Sequence, residues 1–154
     1  MRIVVAVVGK PRDAALAAAI RDYEARAARY WPLEFKEIRE ESSRSLTPQQ
    51  VREREGERLI AAVPDGAHVV ACELDGLTMT SEQFAQWLQR RREQAKDVAF
   101  VIGGAHGLGE ATQRVASSRL ALAPWTLPHE IARLVLAEQL YRAGTIMRRE
   151  PYHK

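Results

Sequence analysis

Two uncharged turns in the last third of the chain carry the residues best suited to chemistry. Val98–Gly109 reads VAFVIGGAHGLG, an apolar run that ends in adjacent glycines. Gly103, Gly104, Gly107 and Gly109 fall within seven positions. Glycine after a strand lets main chain approach a ligand closely, and ligands in open α/β sheets bind beyond the carboxyl ends of the strands. A tight strand-to-helix turn that needs positive φ and binds nothing accounts for the same crowding equally well. The order G-x-G-x-x-G is absent and no Gly-Lys-Ser/Thr follows, which excludes a dinucleotide fingerprint and a P-loop. Without a lysine in the turn, a nucleotide-like group lacking a triphosphate is the better fit.

The second turn, Ala121–Leu127, reads ALAPWTL. Its backbone could face a crevice through Leu122, Ala123, Pro124, Thr126 and Leu127, with Trp125 walling an adenine-sized slot. The plain alternative is a connector that buries Trp125 in the core. A long helix and the tail Arg148–Lys154 follow. Cations interleaved with Tyr152 and His153 suit phosphate contacts and base stacking. A basic tail of this length is ordinarily disordered, although Pro151 and Tyr152 favour a fixed, extended course. Glu138 and Arg142, four apart, have the spacing of an ordinary surface ion pair on a helix. In order, these segments describe a cofactor crevice beside a surface for a polyanion.

Other chemistries have no support. His68, His106, His129 and His153 show no metal-ligand spacing with one another or with Cys72, so no metal is expected. No G-x-S-x-G elbow exists, and Cys72 sits in a predicted strand without an adjacent base, so covalent catalysis is not expected. The run Arg90-Arg91-Arg92 at a helix end reads as a solvated, dipole-compensating feature.

The elements that must position these residues are visible in the patterning. Strands are predicted at Ile3–Val8, Leu33–Ile38, Val69–Glu73, Val98–Ile102 and Arg119–Leu122. The first, third and fourth lack alternation, as strands covered on both faces do. Helices are predicted over Asp13–Tyr30, after the capping box at Thr47–Gln50, over Ser81–Gln94 behind a second box at Thr80, over Leu108–Ser118, and over Pro128–Met147. Strands alternating with helices imply a single α/β domain over residues 1–154, with a parallel sheet flanked by helices. Glu40–Leu46 is the one plainly polar loop and is expected to be mobile. The 154 residues (17.3 kDa) suffice for one buried core. Residues 1–9 are too short for a signal peptide and no apolar run could span a bilayer, so a cytoplasmic protein without membrane contact is expected. The last helix is apolar on more than one side, through Ile131, Leu134, Val135, Leu136, Leu140, Tyr141, Ile146 and Met147, which predicts a homodimer contact. The net charge of +3 is compatible with nucleic acid without being diagnostic.

VIGGAHGLG, PWTLPHEIARLVLAEQLYRA and the terminal EPYHK together resemble the RlmH family of SPOUT methyltransferases. Val8-Gly9-Lys10 and Tyr23-Glu24-Ala25-Arg26 match the family's opening, so the similarity spans the chain. The resemblance implies a C-terminal trefoil knot and a homodimer. It also implies S-adenosylmethionine as methyl donor, with N3 of a pseudouridine in 23S rRNA of the assembled ribosome as acceptor. It places donor contacts at Cys72, Gly103 and Leu122–Leu127, and substrate-side contacts at His129, Arg133, Arg142, Tyr152 and His153. The tail is then expected to reach the partner subunit's site. Cys72 departs from the leucine usual in relatives; a buried thiol can substitute as a small apolar group. On this reading Arg142 stabilises charge developing on the uracil ring, and His153 or solvent takes the N3 proton. A non-catalytic ribosome-binding factor and a small nucleotide-binding α/β domain are the competing readings.

Overall fold

Ile3–Val8 (β1) is six small or β-branched residues, every one buried. Such a strand must lie at the centre of a sheet with both faces covered. In the computed structural model, which describes residues 1–42 and 44–154, it does. Leu33–Ile38 (β2), His68–Leu77 (β3), Val98–Ile102 (β4) and Ser118–Leu120 (β5) complete a sheet of order β2-β1-β4-β3-β5, parallel throughout. Leu33, Ile3, Val98 and His68 stand in one row, so the strand ends are level.

Ala14–Ala27 (α1), Ser81–Glu93 (α3) and His129–Met147 (α5) cover one face over Val5, Phe100, Leu88, Leu136 and Leu140, with α5 packed between the other two. Pro48–Ala62 (α2) and Glu110–Val115 (α4) cover the other face over Ala6, Val8, Leu59 and Val101. Both predicted capping boxes form: Gln50 N–H donates to Thr47 Oγ1 at 3.2 Å, and Gln83 N–H to Thr80 Oγ1 at 3.2 Å. Because every strand is parallel and every crossover is a helix, all loops leading out of the strands gather at one end.

Several boundaries differ from expectation. Helix α1 stops at Ala27, since the next residues turn back so that Trp31 can bury and donate from Nε1 to Leu140 O at 2.8 Å. Helix α4 is one and a half turns, and β5 ends at Leu120. Strand β3 runs on to Leu77 through an irregularity: Leu120 pairs with both Cys72 and Leu77, and Ala121 N–H donates to Leu77 O at 3.0 Å. Residues 73–76 therefore arch over Leu120–Ala121. Gly76 is the point of closest approach, where a Cβ would lie 2.6 Å from Leu120 C and 2.7 Å from Ala121 N. The polar loop is anchored at its start, with Glu40 accepting from Arg12 at 2.9 Å and Glu41 paired with Arg58. Ser43, within the loop expected to be mobile, lies outside the described residues. Among the described residues, no helix is long and apolar enough to cross a membrane.

Candidate active site

Beyond the carboxyl ends of β3, β4 and β5 lie two contiguous cavities of ≈ 120 and ≈ 310 Å³. Small-molecule sites commonly span about 300–1,000 Å³. The smaller cavity lies between Cys72–Leu74 and the loop after β5, against Leu122, Ala123, Trp125, Thr126 and Leu127. The larger lies between the same strand end and the glycine turn, with His129 on its wall. Pro124 is exposed within the loop and faces neither. The predicted donor-side residues other than Pro124 thus surround one continuous crevice.

The glycine turn closes on itself. Gly107 N–H donates to Gly104 O at 3.0 Å, Gly107 has φ of +78°, and a Cβ on Gly103 would lie 2.6 Å from Gly107 C. Glycine at 103 and 107 is therefore demanded by the turn's own geometry, and the close approach of main chain to the crevice follows from it. Behind the turn sits Glu55, a buried carboxyl that the sequence reading missed. Its Oε2 accepts Glu41 N–H at 3.0 Å, and burial pushes its pKa up.

Trp125 is 78% exposed, so the core-packing reading of this residue fails; its ring stands at the lip of the crevice. Leu74, 56% exposed, stands with it. Burial pushes the Cys72 thiol up to about 12, which keeps it protonated and inert as an apolar wall. The ionisable residues lining the crevice are Cys72, Glu73, Asp75 and His129; among the described residues no lysine or arginine lines it. Arg119, from outside, pairs with Glu73 at 3.5 Å and Asp75 at 3.4 Å.

The structure brings Arg142, Tyr152 and His153 together in a second cluster, separate from the crevice of the same protomer. Arg142 is ten residues beyond Ala132 on α5, roughly 15 Å along the helix axis. Its Nε and Nη2 donate to Glu138 Oε1 at 3.0 and 2.6 Å, and its guanidinium lies 4.7 Å from the Tyr152 ring centroid. The Tyr152 hydroxyl donates to the same carboxylate oxygen at 3.0 Å. Hydrogen bonding to Glu138 raises the Arg142 pKa above its ordinary value. This is a partly buried network, not the exposed helix pair that the spacing alone describes. His153 Nδ1 lies 3.2 Å from Arg142 Nη1, and Nε2 lies 2.7 Å from Glu82 Oε1. A guanidinium only donates, so Nδ1 accepts and the ring N–H points to Glu82. That hydrogen bond holds the Glu82 pKa down to about 2. The tail is folded onto its own protomer, and Glu150 accepts from the Tyr30 hydroxyl.

Arg133 is placed elsewhere. It is buried on the α1 side of α5, donating from Nε to Glu24 at 2.7 Å and from Nη1 to Glu37 at 3.0 Å. Burial opposes its charge, but the two carboxylates outweigh this and leave its pKa above the ordinary value. Arg133→Met should therefore act on stability. Removing one partner of a buried ion pair costs about 3–5 kcal/mol, and partial solvation of Glu37 favours the lower end. A fall in Tm of roughly 6–12 °C is expected from thermal denaturation. An unchanged Tm with weakened RNA affinity would instead return Arg133 to the substrate side.

A parallel α/β sheet with glycine-turn and Trp-loop walls at its carboxyl edge defines a SPOUT-type methyltransferase fold, and the comparisons agree. The family model described as "Predicted SPOUT methyltransferase" matches residues 1–153. Among solved structures the chain is similar to a probable methylase family protein from Haemophilus influenzae, with TM-score 0.57, 14% identity and coverage of 99% of this chain and 70% of that one. TrmJ from Z. mobilis gives TM-score 0.50 at 18% identity, covering 93% and 70%. Proteins named ribosomal RNA large subunit methyltransferase H align over the full length of both chains, at 64% identity in Gemmatimonas aurantiaca and 44% in Anaeromyxobacter sp.. This chain belongs to the ribosomal RNA large subunit methyltransferase H (RlmH) family of SPOUT methyltransferases.

Proposed function

We propose that this protein methylates N3 of a pseudouridine in 23S rRNA on assembled cytoplasmic ribosomes, using S-adenosylmethionine and acting as a homodimer. The carrying observation is the composition of the crevice wall. Among the described residues two carboxylates and no lysine or arginine line it, so it disfavours the phosphates of NAD and favours a positively charged donor. Gly103 contributes main chain to the wall, and Cys72, Leu122 and Leu127 supply apolar surface. Bound there, S-adenosylmethionine would supply an electrophilic methyl group on a sulfonium sulfur. The protein's own task is to hold the acceptor nitrogen in line with that bond, in a setting that tolerates the charge left on the base.

Within one protomer, the crevice and the Arg142–Tyr152–His153 cluster lie apart. A second copy would unite them if one subunit's crevice faced the other's tail. The partly exposed stripe Ile131, Leu134 and Val135 on α5, together with exposed Trp125 and Leu74, supports such a contact. Arg142 then faces the negative charge developing on the uracil ring. His153 in the docked tail has Nδ1 engaged by Arg142, so it takes the N3 proton only after that hydrogen bond opens; otherwise solvent takes it. The chain crossing at Gly76 supports a trefoil knot at this end of the sheet, with the segment after Leu120 threaded beneath the 73–76 arch.

The purified protein, given tritiated S-adenosylmethionine, is expected to label 23S rRNA in ribosomes from a strain lacking the modification. Labelled nucleoside analysis should return N3-methylpseudouridine. Ribosome binding without label would replace this reading by the non-catalytic binding factor.

A further inference from the structure

Helices α1, α3 and α5 run antiparallel to the strands, so their C-termini collect at the end of the molecule opposite the crevice. That end is strongly basic. It carries Arg29 after α1, Arg90–Arg92 and Lys96 around the end of α3, and Arg148–Arg149 after α5. Among the described residues, none of these seven cations has a carboxylate partner. Nearby acids are already engaged: Asp97 by Arg2 at 3.3 Å, Glu93 by Gln89 at 3.0 Å, and Glu150 by Tyr30.

Dipole compensation does not account for so many. Each helix C-terminus is equivalent to about −0.5 charge, so three ends call for one or two cations. The surplus is also held in place. Arg91 lies 4.9 Å from the Trp87 ring centroid, Arg92 lies 5.0 Å from Trp31, and Arg148 lies 4.7 Å from Tyr30. Arg92 Nη2 also donates to Tyr30 O at 3.1 Å. Tyr30 is fixed in turn against Gly144 of α5, which leaves no room for a Cβ there. Guanidinium groups stacked in this way lose less freedom on binding an anion. Between α3 and α5 runs an open groove of ≈ 520 Å³, with Gln86, Gln89, Arg90 and Glu93 on the α3 side and Ile146 and Met147 on the α5 side.

We infer that this pole is a second RNA-binding surface, which grips the phosphate backbone of the ribosomal substrate to one side of the nucleotide being modified. The inference rests on the proposed ribosomal substrate. Helix α5 puts the pole roughly 28 Å from the crevice of its own protomer, while Arg148 lies six residues, about 9 Å along the axis, beyond Arg142. The chemistry at the pole favours a polyanion over a lipid surface or a protein partner. The large exposed apolar side chains, Leu74, Leu77, Val115 and Trp125, all lie outside it. Backbone contacts of this kind add affinity and fix orientation without reading sequence. They give a single α/β domain more hold on a large substrate.

The test is a variant carrying Arg29→Gln, Arg90→Gln and Lys96→Gln, three exposed side chains with no hydrogen bond among the described residues. Its binding to ribosomes is measured by sedimentation without methyl donor, over a series of salt concentrations. A control with Arg21→Gln, Arg54→Gln and Arg114→Gln removes the same net charge from other faces. Each lost phosphate contact lowers the slope of log K against log salt by about 0.7–0.9. The pole variant should lose about two units of slope and at least about tenfold in ribosome affinity. Its KM for ribosomes should rise with kcat and donor affinity unchanged, while the control keeps the wild-type slope. An unchanged slope in the pole variant, or an equal loss in the control, overturns the inference. So does a change in the protein's own sedimentation mass, which would assign the surface to a second copy of the chain. If the wild-type protein binds ribosomes but transfers no methyl group, the proposed activity fails and this surface is still measured. If it transfers methyl groups and the pole variant binds normally, only this inference fails.

Discussion

Arg142→Ala is expected to lower the single-turnover rate of methyl transfer to ribosomes about 100- to 1,000-fold, the usual cost of removing one preorganised charge-stabilising donor. Donor affinity by calorimetry should change by less than about twofold, because among the described residues no arginine lines the crevice that would hold the donor. Stability should fall only modestly, since Glu138 remains partly solvated and keeps the Tyr152 hydroxyl as a donor. On the proposed mechanism the rate loss has two sources: the charge that would face the reacting ring, and the hold on the tail through the Tyr152 ring and His153 Nδ1. Arg142→Lys separates them. A lysine restores positive charge but cannot make the two-nitrogen contact with Glu138 while also reaching His153. Partial rescue by lysine points to charge, and no rescue points to tail geometry. Full activity in Arg142→Ala would remove this residue from the mechanism.

How much of this site was legible in the sequence depends on how local each part is. The glycine turn and the Trp loop are contiguous segments after strands, and a parallel sheet puts both at one edge by topology alone, so the crevice could be read from the chain. The Arg142 cluster could be read only in part. Glu138 is local to Arg142, but Glu82 lies 71 residues from His153 and no spacing rule joins them. Arg133 carried a signal that a functional reading of its charge overrode. It is four residues before Ala137, seven before Leu140 and eleven before Gly144, all buried, so helical period alone places it on the covered face. Its partners on α1 and β2 complete the explanation, because a buried arginine needs carboxylates to satisfy it. The extension of β3 was hidden for a different reason. Asp75 and Gly76 are residues that normally end a strand, and only the chain passing beneath them makes glycine necessary there.

That crossing yields the second large effect. Gly76→Val should cost about 3 kcal/mol and lower Tm by roughly 6–12 °C. The clash is with main-chain atoms of Leu120 and Ala121 at 2.6 to 2.7 Å, which cannot swing aside as a side chain would. Relief requires lifting the 73–76 arch or pushing β5 out of its pairing with β3, and both movements displace crevice walls. Donor affinity should therefore fall together with stability. Gly76→Ala meets the same atoms with a single carbon, and it provides a folded variant if valine prevents folding. Gly66→Ala is the comparison. Gly66 has φ of +73° with nothing within 4 Å, so the change there costs only backbone strain of about 1–2 kcal/mol and leaves donor binding intact. Steric contact between two crossing strands predicts that Gly76→Ala loses more affinity than Gly66→Ala at comparable loss of Tm. Equal affinities in the two alanine variants would mean that the arch does not press on the segment beneath it.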